Sequence, residues 1–250
     1  MSKYRAIFFD LDGTAVPNKP DGMPSARLLE TVRHAREKIY LVAATGRPLR
    51  QALPIISELG LIEPCIVSGG TIIIEPATQK VLKITNLPSP AVHAIFDIVK
   101  GRPYGLHLRD ERIGTDVAAL HSSLAESLEI IYITQVPATD IENMNRALGL
   151  VPNIAFSVVP DWTGGDFFAF NVTHRNATKE HAVADVLERL NVPREAAIGI
   201  GDGNNDLHLF RSVGLKVAMG NASAELKAAA DIIAPTIDED GLADIIERYA

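Results

Sequence analysis

The chain has 250 residues, of which 47% are hydrophobic, and its formal net charge is −7. This length and apolar content suffice for one large domain or two smaller ones. The negative charge argues against nucleic-acid binding, since contact with a phosphate backbone needs clustered lysine and arginine. The single cysteine, Cys65, excludes a disulfide within the chain and a cysteine metal cluster, and we expect it to be a small buried hydrophobe.

Two features of the sequence bear on location. No stretch reaches the ~18 consecutive apolar residues of a membrane-spanning helix, and no long apolar signal region precedes Ala6. A single cysteine also suits a reducing compartment. We therefore expect a cytoplasmic protein, a monomer or homodimer, with neither a membrane nor a nucleic acid as partner.

Short apolar runs alternate with amphipathic segments over most of the chain. Helical spacing of apolar residues predicts helices at 25–37 and 178–190. Buried strands are predicted at 4–9, 38–44, 65–67, 196–200, 215–219 and 232–233. This alternation indicates an α/β fold with a doubly wound parallel sheet, which binds ligands beyond the carboxyl ends of its strands.

The middle of the chain follows another rhythm. We expect helices at 89–99 and 140–148, and strands at 104–108, 112–115, 129–134, 154–159 and 166–172, with a hairpin turn across 162–165. This pattern predicts an α+β insert that folds as a separate domain. The expected division is a core domain of residues 1–84 and 172–250, with the inserted domain at 85–171.

Two carboxylates follow the first apolar run, in the sequence Asp10-Leu-Asp12-Gly-Thr. Acids this close together repel and raise one another's pKa, so such a pair usually implies a bound cation, a shared proton or both. A solvated acidic turn is the alternative, because Asp-Gly is a common turn dipeptide. The pair alone does not decide between them.

The second strand, at 38–44, ends in Thr45-Gly46-Arg47. This turn can offer a hydroxyl, backbone N–H groups and a guanidinium to an anion. An ordinary Thr-Gly turn is the alternative.

A second acidic strand end follows the apolar run at 196–200 and reads Asp202-Gly-Asn-Asn205-Asp206. Its oxygen-rich side chains suit a hard cation such as Mg²⁺. A calcium EF-hand loop would need glycine where Leu207 stands, and a dinucleotide fingerprint would need glycine where Asn204 stands. An acidic helix-capping turn stays open.

Lys179 falls in the first turn of the predicted helix at 178–190, with Asn176 or Thr178 as its cap. A cation there opposes the helix dipole, so the position makes sense only with an anion in front of it. A solvated surface lysine is the alternative.

Taken together in chain order, the four segments resemble the motifs of the haloacid dehalogenase superfamily of phosphatases. These segments are Asp10-x-Asp12-Gly-Thr14, Thr45, Lys179 and Gly201-Asp202-x-x-x-Asp206. Thr45-Gly-Arg47 and Ala218-Met-Gly-Asn221-Ala222 further resemble the Cof-type sugar phosphatases, whose cap lies between the second and third motifs. Where such chains usually read Asn-Gly-Ala, this one reads Gly69-Gly70-Thr71.

The resemblance implies a Rossmann-like core with an inserted α+β cap that confers specificity, and it implies roles for the motif residues. Asp10 would be an ionised nucleophile and a ligand of Mg²⁺, and Asp12 an acid/base that also lends its backbone carbonyl to Mg²⁺. Further metal-site residues would be Asp202 and Asp206. Phosphate and substrate would be bound by Thr45, Gly46, Arg47, Lys179 and Asn205.

The expected activity is Mg²⁺-dependent hydrolysis of a small phosphate ester, most simply a sugar phosphate or a phospho-acid, through an aspartyl-phosphate. Two alternatives stay open: a phosphomutase or phosphotransferase, and a non-catalytic phospholigand-binding domain. Candidates to read the substrate are His107, Arg109 and Arg112 in the insert, with His174 at the edge of the core.

Overall fold

A computed structural model describes residues 3–19, 21–108, 111–113, 127–161 and 165–250, with the backbone alone for 111–113. It divides the chain into two compact units. The first unit combines Met1–Lys83 with Thr178–Ala250, and the second is Ile84–Ala177.

The strands and helices of the described residues are numbered here in chain order. The strands are β1 Ala6–Phe9, β2 Tyr40–Ala43, β3 Cys65–Val67, β4 Ile72–Glu75, β5 Lys80–Ile84, β6 Gly105–Leu108, β7 Glu111–Ile113, β8 Ile130–Pro137, β9 Ile154–Pro160, β10 Phe167–His174, β11 Ala197–Gly201, β12 Leu215–Ala218 and β13 Ile232–Ile233. The helices are α1 Ala26–Ala35, α2 Leu49–Glu58, α3 Ser89–Val99, α4 Ile141–Gly149, α5 Lys179–Arg189, α6 Leu207–Phe210, α7 Ala224–Ala229 and α8 Gly241–Tyr249.

The first unit is built on a parallel sheet with the strand order β13-β12-β11-β1-β2. Strand β1, between β11 and β2, is buried along its whole length, and its side chains alternate between two apolar clusters. Ile7 and Phe9 join the cluster that includes residues of α1, α2 and α8, whereas Ala6 and Phe8 join the cluster that includes residues of α5. Helices therefore cover both faces, which confirms the α/β doubly wound fold.

A smaller sheet in the order β3-β4-β5 continues from the parallel one. A parallel bridge between Ala44 and Ile66 places β3 beside the end of β2. The carboxyl ends of β1, β2 and β11 therefore lie side by side, because all three strands run in the same direction.

The second unit holds an antiparallel sheet in the order β7-β6-β8-β10-β9. Side chains of α3 and α4, including Phe96 and Leu148, pack with residues of this sheet such as Phe170 in one buried cluster. This is the α+β insert that the sequence predicts.

Most predicted elements form, with ends that shift by a few residues. Strands β8 and β10, for example, continue beyond their predicted ends to Pro137 and His174. Because β10 stays paired with β9 as far as His174, the second unit ends later than the predicted boundary at 171. The predicted hairpin residues 162–164 and the strand end at 114–115 lie outside the described residues.

In the part of the chain that the structure describes, no helix combines the length and the apolar character that crossing a membrane requires.

Candidate active site

Asp10 and Asp12 follow β1 directly, as the apolar run predicts. Asp10 is 5% exposed, and its Oδ1 accepts a hydrogen bond from the backbone N–H of Leu11 at 2.8 Å. The chain then turns through Gly13, whose φ of +72° favours glycine. A Cβ on Gly13 would stand 2.1 Å from Oδ2 of Asp202, so a side chain at this turn would displace the Asp202 carboxylate.

Lys179 is the residue that joins the two acidic strand ends. Its ammonium nitrogen Nζ lies 3.0 Å from Oδ1 of Asp10 and 2.6 Å from Oδ1 of Asp206. The side chain is only 3% exposed, so the interpretation as a solvated surface lysine is wrong. Two carboxylates in front of the α5 N-terminus explain why a cation is tolerated there. Of the two predicted caps, the Thr178 hydroxyl is the one that accepts a bond from the N–H of His181.

Asp206 is completely buried, and both of its oxygens are engaged. While Oδ1 pairs with Lys179, Oδ2 accepts the backbone N–H groups of Asp202 at 3.0 Å and Gly203 at 3.1 Å. The capping turn that the sequence left open therefore exists, and the same residue also holds the lysine. Asn205, which precedes Asp206 in the same turn, has an exposed side chain.

Asp202 stands at the end of β11 and faces the first acidic turn. Its Oδ1 accepts a hydrogen bond from the hydroxyl of Thr14 at 3.2 Å. Asp10, Asp202 and Asp206 each bring a carboxylate oxygen to within 4.8 Å of the other two. Hard oxygen donors this close together fit a divalent cation such as Mg²⁺, which takes one or two carboxylates and fills its other positions with water or phosphate.

The crowding of these acids changes their protonation. Burial raises the pKa of Asp10 to about 7, with a further rise from the charge of Asp206 and a partial offset from Lys179. Burial and the charge of Asp206 likewise raise the pKa of Asp202 to about 6. Because burial outweighs the lysine, a bound cation would favour the ionised form of Asp10 that a nucleophile needs.

The pKa of Lys179 is also raised, but here burial opposes the rise and the neighbouring charges cause it. Burial lowers the pKa of its ammonium group, but the charges of Asp10 and Asp206 outweigh this effect and raise the pKa above its ordinary value. The lysine is therefore a fixed positive charge between the two acids.

The turn after β2 brings a second cation to the site. Arg47 donates from Nε to Oδ2 of Asp12 at 2.8 Å and from Nη2 to Oδ1 of Asp12 at 2.5 Å. Burial lowers the guanidinium's pKa, yet the hydrogen bonds to Asp12 outweigh this and raise the pKa. The side chain that the sequence assigned to an anionic ligand is thus held by the acid/base candidate.

Thr45 is fully buried at the end of β2. Its Oγ1 accepts the backbone N–H of Arg47 at 3.0 Å, a bond that uses the oxygen and leaves the hydroxyl proton able to donate. Gly46 is exposed, and a Cβ there would meet no atom within 4 Å. An incoming anion would therefore find open space at Gly46.

The candidates for substrate reading lie in the second unit. His107 is half-buried on β6 and is opposite Arg112 of β7 in the strand register. His174 ends β10 and also belongs to this unit, so its predicted place at the edge of the core is corrected. Arg109 lies outside the described residues.

Asn221 is a site residue that has no role among the expectations from sequence. Its Nδ2 donates to the carbonyl of Gly13 at 2.8 Å, and its Oδ1 accepts the N–H of Ile237 at 2.9 Å. It thereby ties the acidic turn to the loop before α8. The resemblance of 218–222 to Cof-type chains was the available signal. The residue type alone does not predict the two hydrogen bonds of Asn221, because an isolated asparagine occurs in many surroundings.

These residues define a class of protein. A buried acid beside a lysine, a second acid paired with arginine, and a cluster of acids that could hold a cation suit metal-assisted phosphoryl transfer. A family model described as haloacid dehalogenase-like hydrolase matches residues 7–116 and 123–246. The chain belongs to this family.

Similar proteins narrow the class to phosphatases. The chain is 25% identical over 283 residues to the 5-amino-6-(5-phospho-D-ribitylamino)uracil phosphatase YitU of Bacillus subtilis, covering 99% of this chain and 98% of that one. It is 27% identical over 246 residues to a phosphoglycolate phosphatase of Methanothermobacter thermautotrophicus, covering 98% of each. A haloacid dehalogenase-like hydrolase of Bacteroides thetaiotaomicron superposes with a TM-score of 0.78 at 26% identity, covering 98% of this chain and 99% of that one.

The chain is therefore a Cof-type phosphatase of the haloacid dehalogenase family. This identity removes the non-catalytic phospholigand-binding domain from the alternatives.

Proposed function

We propose that the protein is a Mg²⁺-dependent phosphoric monoester hydrolase that forms an aspartyl-phosphate on Asp10. The observation that carries this proposal is the position of Lys179, whose Nζ lies 3.0 Å from Asp10 and 2.6 Å from Asp206. A phosphate monoester is dianionic near neutral pH, so a carboxylate nucleophile meets charge repulsion. A fixed cation touching that carboxylate relieves the repulsion where it arises.

In the first step a carboxylate oxygen of Asp10 attacks phosphorus in line with the leaving oxygen. The new bond joins Asp10 to phosphorus, and the bond from phosphorus to the ester oxygen breaks. Asp12, when protonated, gives its proton to the departing alkoxide, which leaves as an alcohol. The hydrogen bond from the Leu11 N–H fixes the orientation of the Asp10 carboxylate during this attack.

In the second step water hydrolyses the aspartyl-phosphate. Asp12, now a carboxylate, takes a proton from the water as its oxygen bonds to phosphorus. The bond from phosphorus to Asp10 breaks, which releases inorganic phosphate and restores both acids. Two displacements of moderate difficulty thus replace one difficult displacement.

The remaining residues bind and orient. Thr45, Gly46 and Asn205 are proposed to donate hydrogen bonds to the phosphoryl oxygens, and Lys179 to pair with their charge. Asp10 and Asp202 are the proposed side-chain ligands of Mg²⁺, together with the backbone carbonyl of Asp12. When bound, Mg²⁺ would neutralise charge that develops on the phosphoryl group. Asp206, with both oxygens engaged, is proposed to act through water or by orienting its neighbours.

The proposed substrates are small phosphorylated metabolites, either sugar phosphates or phospho-acids. Support comes from the names of the two relatives, one a phosphatase of a phosphorylated ribityl compound and the other of phosphoglycolate. We propose that the second unit acts as the cap that selects among substrates, with His107 and Arg112 among its selecting residues.

The test is release of inorganic phosphate from a panel of phosphorylated metabolites and one aryl phosphate, with Mg²⁺ and with a chelator. The proposal expects Mg²⁺-dependent release that differs in kcat/KM across the metabolites. A bisphosphorylated sugar in the same panel separates the nearest rival. Net isomerisation of that sugar without free phosphate would show a phosphomutase and contradict the hydrolase.

A further inference from the structure

The turn that follows β3 has an unusual backbone. Three consecutive residues have positive φ: Ser68 at 52°, Gly69 at 69° and Gly70 at 110°. Ser68 is buried and is not a glycine, so its left-handed conformation is held by its surroundings. Backbone strain of this kind persists only where neighbouring structure imposes it, and it is concentrated at functional sites.

Hydrogen bonds hold the Ser68–Gly70 turn in this left-handed conformation. The N–H of Ser68 donates to the carbonyl of Arg47 at 2.8 Å, and the N–H of Gly69 donates to the carbonyl of Thr45 at 3.0 Å. From the other side, the hydroxyl of Thr71 donates to the carbonyl of Ser68 at 2.8 Å, in a buried position. The turn is therefore fastened to both residues that flank Gly46 in the phosphate-binding turn.

Gly70 brings the same turn against the start of α5. A Cβ on Gly70 would stand 2.3 Å from the carbonyl carbon of Thr178, 2.4 Å from its oxygen and 2.8 Å from the backbone nitrogen of Lys179. All three are backbone atoms, so no side-chain rotation could relieve the overlap. Gly69, its neighbour, would meet nothing within 4 Å.

We propose that Gly70 is a positioning residue, whose missing side chain lets the Ser68–Gly70 turn set the distance between the phosphate-binding turn at Thr45–Arg47 and the α5 N-terminus that carries Lys179. The inference rests on the proposed function, since it assumes that Lys179 meets the phosphoryl group. A side chain at Gly70 would push the helix start away and carry the lysine ammonium off Asp10.

The rival explanation is conformational, because a φ of 110° strains any residue with a Cβ. Gly69→Ala is the matched control: it also places alanine at positive φ, in the adjacent position, but without the overlap with Thr178. Because a misplacement of ~1 Å costs about 100-fold in rate, we expect Gly70→Ala to lower kcat on an activated aryl phosphate by about that factor. Gly69→Ala should lower kcat on the same ester by less than about 10-fold.

A double-mutant cycle with Lys179→Met decides whether the effect passes through the lysine. If it does, Gly70→Ala causes no further loss of kcat when Lys179 is already absent. Equal losses in both backgrounds, or equal losses from the two alanines, would overturn the inference. Full activity of Lys179→Met alone would instead refute the proposed function, and the inference with it.

A second pair of variants covers the case in which Gly70→Ala does not fold. Thr71→Val removes the hydroxyl, which is the shorter of two donors from Thr71 to the carbonyl of Ser68, whereas Thr71→Ser keeps it; the backbone N–H, the other donor at 3.2 Å, stays in both variants. We expect Thr71→Val to lower kcat, Thr71→Ser to restore it, and the difference between them to vanish in the Lys179→Met background. Any difference that persists there would contradict positioning through Lys179.

Discussion

Arg47 holds Asp12 in a two-pronged ion pair, with Nε 2.8 Å from one carboxylate oxygen and Nη2 2.5 Å from the other. The arginine side chain is 10% exposed and the aspartate 28%. A planar guanidinium that grips both oxygens fixes the carboxylate in orientation as well as in position. Asp12 is the proposed proton donor to the leaving group, so the pair bears directly on the first chemical step.

Replacing the fork with a point charge tests this relationship. We expect Arg47→Lys to lower kcat/KM for an alkyl phosphate by about 100-fold, because a misoriented acid no longer protonates the alkoxide. An activated aryl phosphate, whose leaving group needs no proton, should lose less than about 10-fold. The measurement is kcat/KM for both esters.

The matched control is Arg50→Lys, since Arg50 is an exposed arginine of α2. It should leave both values near those of the wild type. Equal losses for the alkyl and aryl esters in Arg47→Lys would show that Arg47 binds the phosphoryl group rather than orienting the acid.

Gly13 allows a sharp test of the cation site. In Gly13→Ala, the new Cβ would overlap Oδ2 of Asp202, so we expect Mg²⁺ affinity to fall by about 10- to 100-fold. Gly101→Ala is the control, because Gly101 has the same φ of +72° but open space around its Cβ. Phosphate release measured against Mg²⁺ concentration gives both affinities. If Gly13→Ala differed from Gly101→Ala in thermal stability but bound Mg²⁺ with the same affinity, the assignment of Asp202 as a ligand would be contradicted.

The raised pKa values predict how Mg²⁺ stabilises the protein as pH changes. Without the cation, the folded state keeps protons on Asp10 until about pH 7 and on Asp202 until about pH 6. The unfolded chain loses them near pH ~4, so the contribution of these groups to the free energy of unfolding falls as pH rises between these values. Protons therefore compete with Mg²⁺ for both carboxylates below about pH 6.

We expect the rise in Tm caused by Mg²⁺ to be larger at about pH 8 than at about pH 5, because the carboxylates are then deprotonated. At about 100 times its Kd, Mg²⁺ would add about 2.7 kcal/mol to the free energy of unfolding. The Asp10→Asn, Asp202→Asn double variant should lose most of this gain. Thermal unfolding at both pH values measures it, and the same rise at each would contradict a site made of these two acids.

The strand ends of the first unit could be predicted from sequence because each buried strand is a short apolar run that stops at a polar turn. Asp10, Thr45 and Asp202 follow such runs directly, and parallel strands bring their carboxyl ends together. The two acids and the hydroxyl at these strand ends could therefore be predicted without a structure. The patterns missed α2, β4 and β5 altogether and misplaced the ends of strands such as β8 and β10, since these segments carry weaker local signals.

Contacts between distant segments could not be predicted in the same way. Lys179 looks like a surface lysine in its helix, and only the fold brings it to Asp206, 27 residues away. Arg47 reaches Asp12 across 35 residues, a pairing that the local sequence around either residue does not indicate. The overlap that Gly70 avoids depends on where α5 begins relative to β3, and neither local propensity nor spacing contains that information.

The proposed phosphorylation of Asp10 can be trapped in the Asp12→Asn variant. With an activated aryl phosphate the first step needs no acid, whereas the second step lacks its base, so the aspartyl-phosphate should accumulate. The measurement is mass spectrometry of the peptide that contains Asp10 after a rapid acid quench. We predict one phosphoryl group on Asp10. If one equivalent of the phenol is released and the phosphoryl group lies on another residue, or on none, Asp10 is not the nucleophile.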